Sequence, residues 1–388
     1  MDKKKNVLWL GLVSFFTDTS SEMIFPIIPI FLTSILNANM AIVGLIEGVA
    51  ESTSAILKLF SGWFSDKIGK KKPIVFGGYA FSTFAKPFLA IATSWWHVLA
   101  VRFADRVGKG IRDSPRDALI AASSSKKERG RLFGLHRMLD TAGAMLGTII
   151  ASILLLAMTG KSSTFRWIFF LSVIPGIIAL WILSSKVKEV KAKQADNAKK
   201  FSLRIRDFNP VYRRFLLVLA VFNFAQFSYA FFILRARDVG VILALIPIIY
   251  LVYNVVYAGF AVTAGKMSDK IGRKNVLSAG YLLFGLVALG FALAANSISV
   301  WFLFALYGLF MAITDGVSRA YVSDLVKAEN RGFALGAYHS IVGITVLPAN
   351  LIGGFLWNAY SAQAPFIYAS VLSIVSALLL FALVEKKK

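Results

Sequence analysis

The chain has 388 residues, of which 57% are hydrophobic, and 43 Lys and Arg against 20 Asp and Glu give it a formal net charge of +23. Long apolar runs follow one another almost without a pause, and since about 20 apolar residues span a bilayer core, this composition excludes an ordinary soluble domain. The absence of cysteine excludes disulfides and thiol catalysis, and the three histidines lack metal-ligand spacing.

The apolar runs predict an all-α membrane protein with twelve transmembrane spans, numbered here in chain order. We place them at roughly residues 7–35, 40–65, 73–93, 95–122, 131–158, 164–184, 211–237, 240–265, 275–296, 298–323, 332–359 and 364–384. The first run is too long for a cleaved signal peptide and carries two acids. The long polar stretch after span 6 predicts a cytoplasmic linker at 185–210 between two six-helix bundles, 1–184 and 211–388.

The positive charge is distributed unevenly between the two sides of the predicted spans. Most of the 43 Lys and Arg residues lie at the termini and in every second loop, whereas the opposite loops hold only Lys161, Arg166, Arg235 and Arg237. This positive-inside pattern predicts cytoplasmic termini and a multi-pass protein of the inner (plasma) membrane. A basic surface for anionic lipid or nucleic acid is the weaker alternative, and we expect no nucleic-acid partner.

A short loop motif occurs twice, each time between two apolar spans. The pattern G-x-x-x-D-K-x-G-[KR]-K begins at Gly62 and again at Gly265, and Arg116 has a counterpart in Arg319 at the same offset. Because six spans per half is an even number, both halves have the same orientation. This predicts parallel repeats about an axis along the membrane normal, with a binding site near the midplane.

With this doubled loop, the chain resembles the major facilitator superfamily of secondary transporters over its whole length. The loop is the signature of that superfamily between spans 2 and 3, echoed between spans 8 and 9. The resemblance implies two pseudo-symmetric six-helix bundles that rock about a central cavity in alternating access. Span 4 departs from the antiporters of the family, which usually follow an arginine with a Gly-x-x-Gly-type run, because here Arg102 is followed by Asp105 and Arg106.

The resemblance also implies a mechanical role for the repeated loop. Asp66 would cap the N-terminus of a facing helix, where an anion is favoured, and so latch the outward-facing state. Asp269 would do the same with the other half, and two glycines would permit the close packing and tight turn that the motif needs. The predicted latch residues are Gly62, Asp66, Lys67, Gly69, Arg116 and Asp269.

Charged residues within the spans are concentrated in the N-terminal half. Each costs about 2.5–3.5 kcal/mol in a bilayer core, so these groups must face protein, water or one another. Asp18 and Glu22 share one face of span 1, and Glu51 lies on a polar stripe of span 2. A carboxylate beside a guanidinium can exchange a proton when water enters or a charged substrate displaces its partner. We predict proton coupling by one of these acids with Arg102 or Arg106, and a static network that only locks the bundle is the alternative.

Substrate contacts are predicted in both halves. Lys86 stands alone on span 3 and either pairs with an acid of a neighbouring span or binds an anionic substrate. The C-terminal half offers a polar aromatic face, which suits an organic solute, although helix packing is an equal alternative for any one residue. The predicted substrate-binding residues are Lys86, Lys109, Asn223, Gln226, Tyr250, Tyr253, Asn254, Tyr257 and Tyr307.

The predicted function is secondary active transport, favoured as proton-coupled efflux (antiport) of a small organic compound. The alternatives are proton-coupled transport of an anionic solute, such as an organic phosphate, carboxylate or metal chelate, and lipid flipping on the same fold. The sequence has no G-x-x-x-x-G-K-[ST] loop, so direct ATP use is not expected, and we expect no enzyme activity, cofactor or bound metal. The expected partners are a small-molecule substrate, protons and membrane lipid, and we expect a monomer.

Overall fold

The computed structural model describes residues 3–68, 70–124, 128–158, 162–190, 208–327 and 331–384. These residues are almost entirely helical, and no strand occurs among them. A π-helical turn covers Phe31–Ile35, and 3₁₀ turns cover Lys86–Ile91 and Leu243–Leu245. The α-helices in chain order are α1 (Lys3–Glu22), α2 (Ile28–Ile30), α3 (Met40–Ile68), α4 (Lys72–Ala85), α5 (Trp95–Ala122), α6 (Arg129–Ala157), α7 (Ser162–Leu171), α8 (Val173–Ser185), α9 (Pro210–Ala225), α10 (Tyr229–Asp238), α11 (Ile246–Ile271), α12 (Arg273–Leu293), α13 (Ser297–Leu325), α14 (Arg331–Ala359) and α15 (Ala364–Leu383).

Within the described ranges, ten helical stretches are long and apolar enough to cross a membrane. The predicted spans 1 and 4 are not among the ten. They form the helices α1 and α5, and α5 carries a dense run of charges between Arg102 and Asp117. The all-α membrane architecture is thus confirmed, while the total of twelve spans and the cytoplasmic termini stay predictions.

Predicted spans 1 and 7 are each interrupted between two α-helices. α1 ends at Glu22, and a turn precedes α2 in a segment that contains Pro26 and Pro29. Proline removes a backbone donor and clashes with the preceding turn, which accounts for this interruption. Residues 226–228 are likewise non-helical and separate α9 from α10.

The chain divides into two compact units. Unit 1 contains Met1–Ala38, Val49–Lys200 and Leu243–Ile248, and unit 2 contains Asn39–Gly48, Phe201–Ile242 and Ile249–Lys388. The beginning of α3 therefore belongs to unit 2 and the rest of that helix to unit 1. Residues 191–207 of the predicted linker lie outside the described residues, and the predicted bundle boundaries stay a prediction.

In unit 1, α1 packs along α6 and α8, and α4 packs along α5. Gly143 and Gly147 of α6 allow the backbone of α1 to come very close to that of α6. A Cβ atom at Gly143 would lie 2.1 Å from the backbone oxygen of Phe15, and one at Gly147 would lie 2.4 Å from that of Thr19. The spacing G-x-x-x-G is typical of closely packed membrane helices. This approach places the polar face of α1 directly against α6.

The substitution Gly143→Ala is expected to destabilise unit 1 by about 1–3 kcal/mol, because the new methyl group meets backbone that cannot move aside. Thermal unfolding of the purified protein in detergent measures the effect. Gly134→Ala in the same helix is the matched control, since nothing lies within 4 Å of its Cβ position. Equal unfolding temperatures for the two variants would contradict the close packing of α1 on α6.

Aromatic rings form much of the core of unit 2. The ring of Phe222 in α9 stacks on that of Tyr281 in α12, with centroids 3.6 Å apart and planes 10° apart. The ring of Phe232 in α10 stacks on Tyr307 in α13, with centroids 4.5 Å apart. These contacts anchor the two helices on either side of the non-helical residues 226–228.

The interruption between α9 and α10 is stabilised by side chains from other helices of unit 2. The Oγ of Ser228 accepts a hydrogen bond from the backbone N–H of Ala230 at 3.2 Å and so caps α10. The backbone N–H of Ser228 donates to Oδ1 of Asn350 in α14 at 2.8 Å, and its Oγ donates to Oε2 of Glu47 in α3 at 3.1 Å. The backbone N–H of Ser228 at the break is therefore satisfied by a protein group, as a membrane interior requires.

Candidate functional site

Charged side chains from five segments of unit 1 gather in one charged cluster. Each member acts electrostatically on at least one other member. The sequence predicted a polar face on span 1 and a polar stripe on span 2 and placed Arg102 and Arg106 on span 4, and the structure brings these charges together. The members of the charged cluster are Asp18, Glu22, Glu51, Lys86, Arg102, Asp105, Arg106, Lys109 and Asp140.

A pair of carboxyl groups lies between α1 and α6. The side chains of Asp18 and Asp140 lie close enough to share a hydrogen bond. Two carboxylates this close repel each other when both are ionised, so the pair is suited to share one proton. Asp140 also accepts a hydrogen bond from Nη1 of Arg137 at 2.8 Å, and the strongest attractive charge on Asp18 is that of Lys109. Sequence analysis did not single out Asp140 as a partner, although the glycines one and two turns after it indicate close helix packing.

The second predicted proton carrier, Glu22, follows Asp18 by one helical turn on α1. Its Oε2 atom is buried and has no hydrogen-bond partner within the part of the chain that the structure describes. The strongest attractive charge on Glu22 also comes from Lys109, followed by Arg106. Lys109 therefore attracts both carboxyl groups of α1.

The third predicted carrier, Glu51, forms an ion pair. Its Oε1 lies 2.9 Å from Nη2 of Arg106, one of the two predicted partners. The guanidinium groups of Arg106 and Arg102 lie 4.7 Å and 4.6 Å from the centroid of the Phe25 ring. Such cation–π contacts partly replace the hydration that these buried cations lose.

Lys86 is almost completely enclosed, with 2% of its surface exposed. Its Nζ donates hydrogen bonds to Oγ of Ser20 at 3.1 Å and to Oγ of Ser21 at 2.7 Å, both on α1. Its strongest attractive charge is Asp105, which also accepts a hydrogen bond from Ser82. Here the lysine pairs with protein groups, and its alternative role in binding an anionic substrate stays a prediction.

The first copy of the repeated loop is described only in part. Gly69 and the side chains of Asp66 and Lys67 lie outside the described residues, so their latch roles stay predictions. A Cβ atom at Gly62 would lie 2.5 Å from Oγ of Ser114, which shows that α3 and α5 touch at this glycine.

Arg116 lies on α5 and is bound within its own helix. Its guanidinium group contacts Asp113 at 3.6 Å and Asp117 at 2.9 Å. Its counterpart Arg319 on α13 contacts Asp315 at 2.7 Å in the same intrahelical manner. Both positions related by the repeat therefore form intrahelical ion pairs, with carboxylates at different positions of the helix, and the latch role of Arg116 stays a prediction.

The second copy of the loop holds α11 and α12 to the end of α13. Arg273 contacts the carboxylate of Asp269 at 3.1 Å and that of Asp324 at 2.9 Å. Gly272 has φ of 93°, a conformation that favours glycine and makes the tight turn between the two helices. The predicted capping role of Asp269 is not tested by these contacts and stays a prediction.

A residue that sequence analysis did not single out holds the basic end of the first loop. The carboxylate of Glu189 accepts hydrogen bonds from the backbone N–H groups of Lys71 at 3.1 Å and Lys72 at 2.7 Å. These groups lie at the N-terminus of α4, where the helix dipole favours an anion. Glu189 and Lys72 are 117 positions apart, so no local pattern indicates the contact.

The tyrosines predicted on one face of span 8 form a stack in unit 2. The ring centroids of Tyr250 and Tyr253 are 5.5 Å apart, and those of Tyr253 and Tyr257 are 6.3 Å apart. Tyr307 of α13 joins the stack at 5.0 Å from Tyr253. The hydroxyl group of Tyr257 donates a hydrogen bond to Oδ2 of Asp315 at 2.6 Å. The structure thus brings the predicted face together with an acid on a different helix.

The amide side chains that were predicted to bind substrate in the C-terminal half differ from one another in their surroundings. Asn223 and Gln226 line a cavity of about 200 Å³ inside unit 2, which is also lined by Tyr281. Asn254 does not line this cavity, and its amide donates to the backbone oxygen of Tyr250 in its own helix at 3.1 Å. The contribution of Tyr281 follows from the packing of α12 on α9 and has no sequence signal.

The sequence model of the Major Facilitator Superfamily matches residues 10–236 and 216–388. The chain belongs to this superfamily. An uncharacterised MFS-type transporter of Methanocaldococcus jannaschii is 41% identical over 382 residues, which cover 97% of this chain and 94% of that relative. The multidrug resistance protein MdtH of Photorhabdus laumondii is 32% identical over 133 residues, or 34% of this chain and 33% of MdtH.

The crystal structure of the nucleoside transporter NupG superposes on this MFS protein with a TM-score of 0.81, and the match covers 100% of both chains at 15% identity. At this identity the likeness shows the fold alone. It confirms the predicted MFS fold, and the superfamily membership makes the protein a multi-pass membrane transporter of small molecules.

Proposed function

We propose that this MFS transporter exports a small organic compound in exchange for protons. The observation that carries the proposal is the close pair of carboxyl groups of Asp18 and Asp140 inside unit 1. Such a pair holds one proton between two groups that could each release it. The transport cycle requires a proton that is bound on one side of the membrane and released on the other, and this pair is suited to hold it.

Lys109 stabilises the carboxylate that remains after this proton is released. If water enters between Asp18 and Asp140, the proton can pass from the carboxyl group to water. The ammonium group of Lys109 then compensates the carboxylate that remains, since it is already the strongest attractive charge on Asp18. The same lysine is the strongest attractive charge on Glu22, which provides a second acceptor.

The proposal that the exported compound is organic rests on side chains of unit 2. The stack of Tyr250, Tyr253, Tyr257 and Tyr307 offers apolar ring surface with hydroxyl groups at its edge, a combination that suits an organic solute. The similarity to MdtH, a protein named for multidrug resistance, supports export over import and covers about a third of this chain.

Proteoliposomes that contain the pH-sensitive dye pyranine test the proposal under an imposed pH gradient. The probes are ethidium as a lipophilic cation, benzamide as a neutral ring compound, and citrate and glycerol 3-phosphate as anions. Export in exchange for protons predicts a saturable, protein-dependent pyranine signal with ethidium or benzamide. A signal no larger than that of protein-free liposomes with both probes would contradict the proposal.

A second candidate function, transport of an anionic solute, has support of its own. Two guanidinium groups, those of Arg102 and Arg106, share the ring of Phe25. In the described part of the chain, the buried Nε and Nη1 atoms of Arg112 have no hydrogen-bond partner. Guanidinium groups suit phosphate and carboxylate ligands. Proton flux with citrate or glycerol 3-phosphate, but not with ethidium or benzamide, would favour this candidate.

A further inference from the structure

The cavity inside unit 2 is not used by the proposed proton step. It has a volume of about 200 Å³ and lies between α9, α12, α13 and α14. Part of its wall is apolar and includes Met311 and Val342. The polar side chains of its wall are Asn223, Gln226, Tyr281, Thr314, Asp315, Ser318 and Tyr338.

Two polar groups of this wall have no hydrogen-bond partner among the residues that the structure describes. They are Nδ2 of Asn223, a residue that is 4% exposed, and the hydroxyl group of Tyr281, which is 1% exposed. Buried polar groups that stay unsatisfied are costly, so both groups favour a further partner, and the residues that carry them line the cavity. The Tyr281 ring is stacked on Phe222, which keeps its hydroxyl group in place.

The acid in the wall of the cavity is already compensated. The carboxylate of Asp315 accepts hydrogen bonds from the hydroxyl group of Tyr257 at 2.6 Å and from Nη2 of Arg319 at 2.7 Å. Tyr338 lies beside Ser318. The buried wall groups without a partner in the described part of the chain are therefore a neutral amide donor and a neutral phenol, which suit an uncharged oxygen acceptor better than an ion.

We propose that this cavity binds the uncharged end of the transported compound, whose carbonyl or hydroxyl oxygen accepts hydrogen bonds from Asn223 and Tyr281. The volume of about 200 Å³ limits this end to a group the size of one six-membered ring. The inference rests on the proposed export of an organic compound and adds the position and the chemical group by which that compound is held. A longer compound would extend toward the tyrosine stack, which the hydrogen bond from Tyr257 to Asp315 links to the cavity wall.

Binding of benzamide to the full chain in detergent, without any gradient, tests this inference. Isothermal titration or saturation-transfer NMR compares benzamide with benzoate and benzylammonium, which keep the ring and differ in charge. We expect saturable binding of benzamide that is at least about tenfold tighter than binding of either ion. No saturable binding of benzamide, or equal affinity for all three probes, would overturn the inference and leave a cavity that holds only water.

Substitutions in the wall locate the binding. Tyr281→Phe keeps the ring and removes the hydroxyl group, and Asn223→Leu keeps the shape and removes the amide, so each should weaken benzamide binding about tenfold. Ser373→Ala is the matched control, because it removes another buried hydroxyl group of unit 2 that has no partner within the described residues and does not line the cavity. Wild-type affinity in Tyr281→Phe would overturn the inference even if Asn223→Leu fails to fold.

Failure of this inference is distinguishable from failure of the proposed function. Benzamide binding without compound-dependent proton flux in proteoliposomes would contradict the proton exchange and leave the cavity assignment standing. Proton flux with ethidium, together with no benzamide binding in detergent, would contradict the cavity assignment and leave the exchange standing.

Discussion

Asp18→Asn is expected to abolish compound-dependent proton flux and to leave exchange of the compound itself measurable. The amide has nearly the same size and still forms a hydrogen bond with Asp140, but it cannot bind and release a proton at neutral pH. In proteoliposomes the pyranine signal should fall to that of protein-free liposomes. Counterflow of labelled ethidium should persist, because it requires the conformational change without net proton movement.

Two further variants distinguish a specific loss of proton coupling from a general loss of folding or stability. Asp140→Asn removes the partner of Asp18 and should change the pH dependence of flux without abolishing it, since Asp18 can still titrate, whereas the Asp140 that remains in Asp18→Asn is bound by Arg137. Asp117→Asn is the control, because that acid binds Arg116 and is not a member of the charged cluster. Wild-type proton flux in Asp18→Asn, and also in Glu22→Gln and Glu51→Gln, would rule out the proposed carriers.

Asp105→Ala is expected to destabilise unit 1 by about 3–5 kcal/mol, the usual effect of removing one partner from a buried ionic network. Asp105 is 3% exposed, and Lys86 is the strongest attractive charge on it. Arg106 and Arg102 also act on this carboxylate. Without it, these buried cations lose their shared counter-charge. The loss should appear as a lower yield in detergent and a lower unfolding temperature.

A second-site substitution shows whether the uncompensated positive charge causes the loss of stability in Asp105→Ala. Asp105→Ala combined with Lys86→Met removes one anion and one cation and should recover part of the lost stability. Asp117→Ala, at a side chain that is 42% exposed, should cost at most about 1 kcal/mol. Equal losses for Asp105→Ala and Asp117→Ala, or no recovery in the double variant, would contradict a central role for Asp105.

Several features of the site follow from helical periodicity within one segment. Tyr250, Tyr253 and Tyr257 are three and four positions apart, so a helix places them on one face, and in the structure their rings stack. Asp18 and Glu22 share a face of α1 for the same reason. The acid–guanidinium contact expected for Glu51 is formed by Arg106, since a charge buried in a membrane protein needs an opposite charge.

The choice of partner across helices does not follow from periodicity. Asp140 faces Asp18 because Gly143 and Gly147 let α6 approach the backbone of α1. Glu189 caps α4 from a segment that is remote in the chain. The cavity beside Asn223 depends on the stacking of α12 against α9, and no residue near Asn223 in sequence indicates it.

The sequence by itself determined the superfamily, the all-α membrane fold and the two kinds of surface, charged in the first half and aromatic in the second. These properties depend on hydropathy and on a loop motif, which are local in the chain. Only the tertiary structure decided that Asp18 meets Asp140 and that Asn223 shares a cavity with Tyr281. The physical reason is that a hydrophobic span fits the bilayer in any rotation about its axis, and side-chain packing between helices selects the one that occurs.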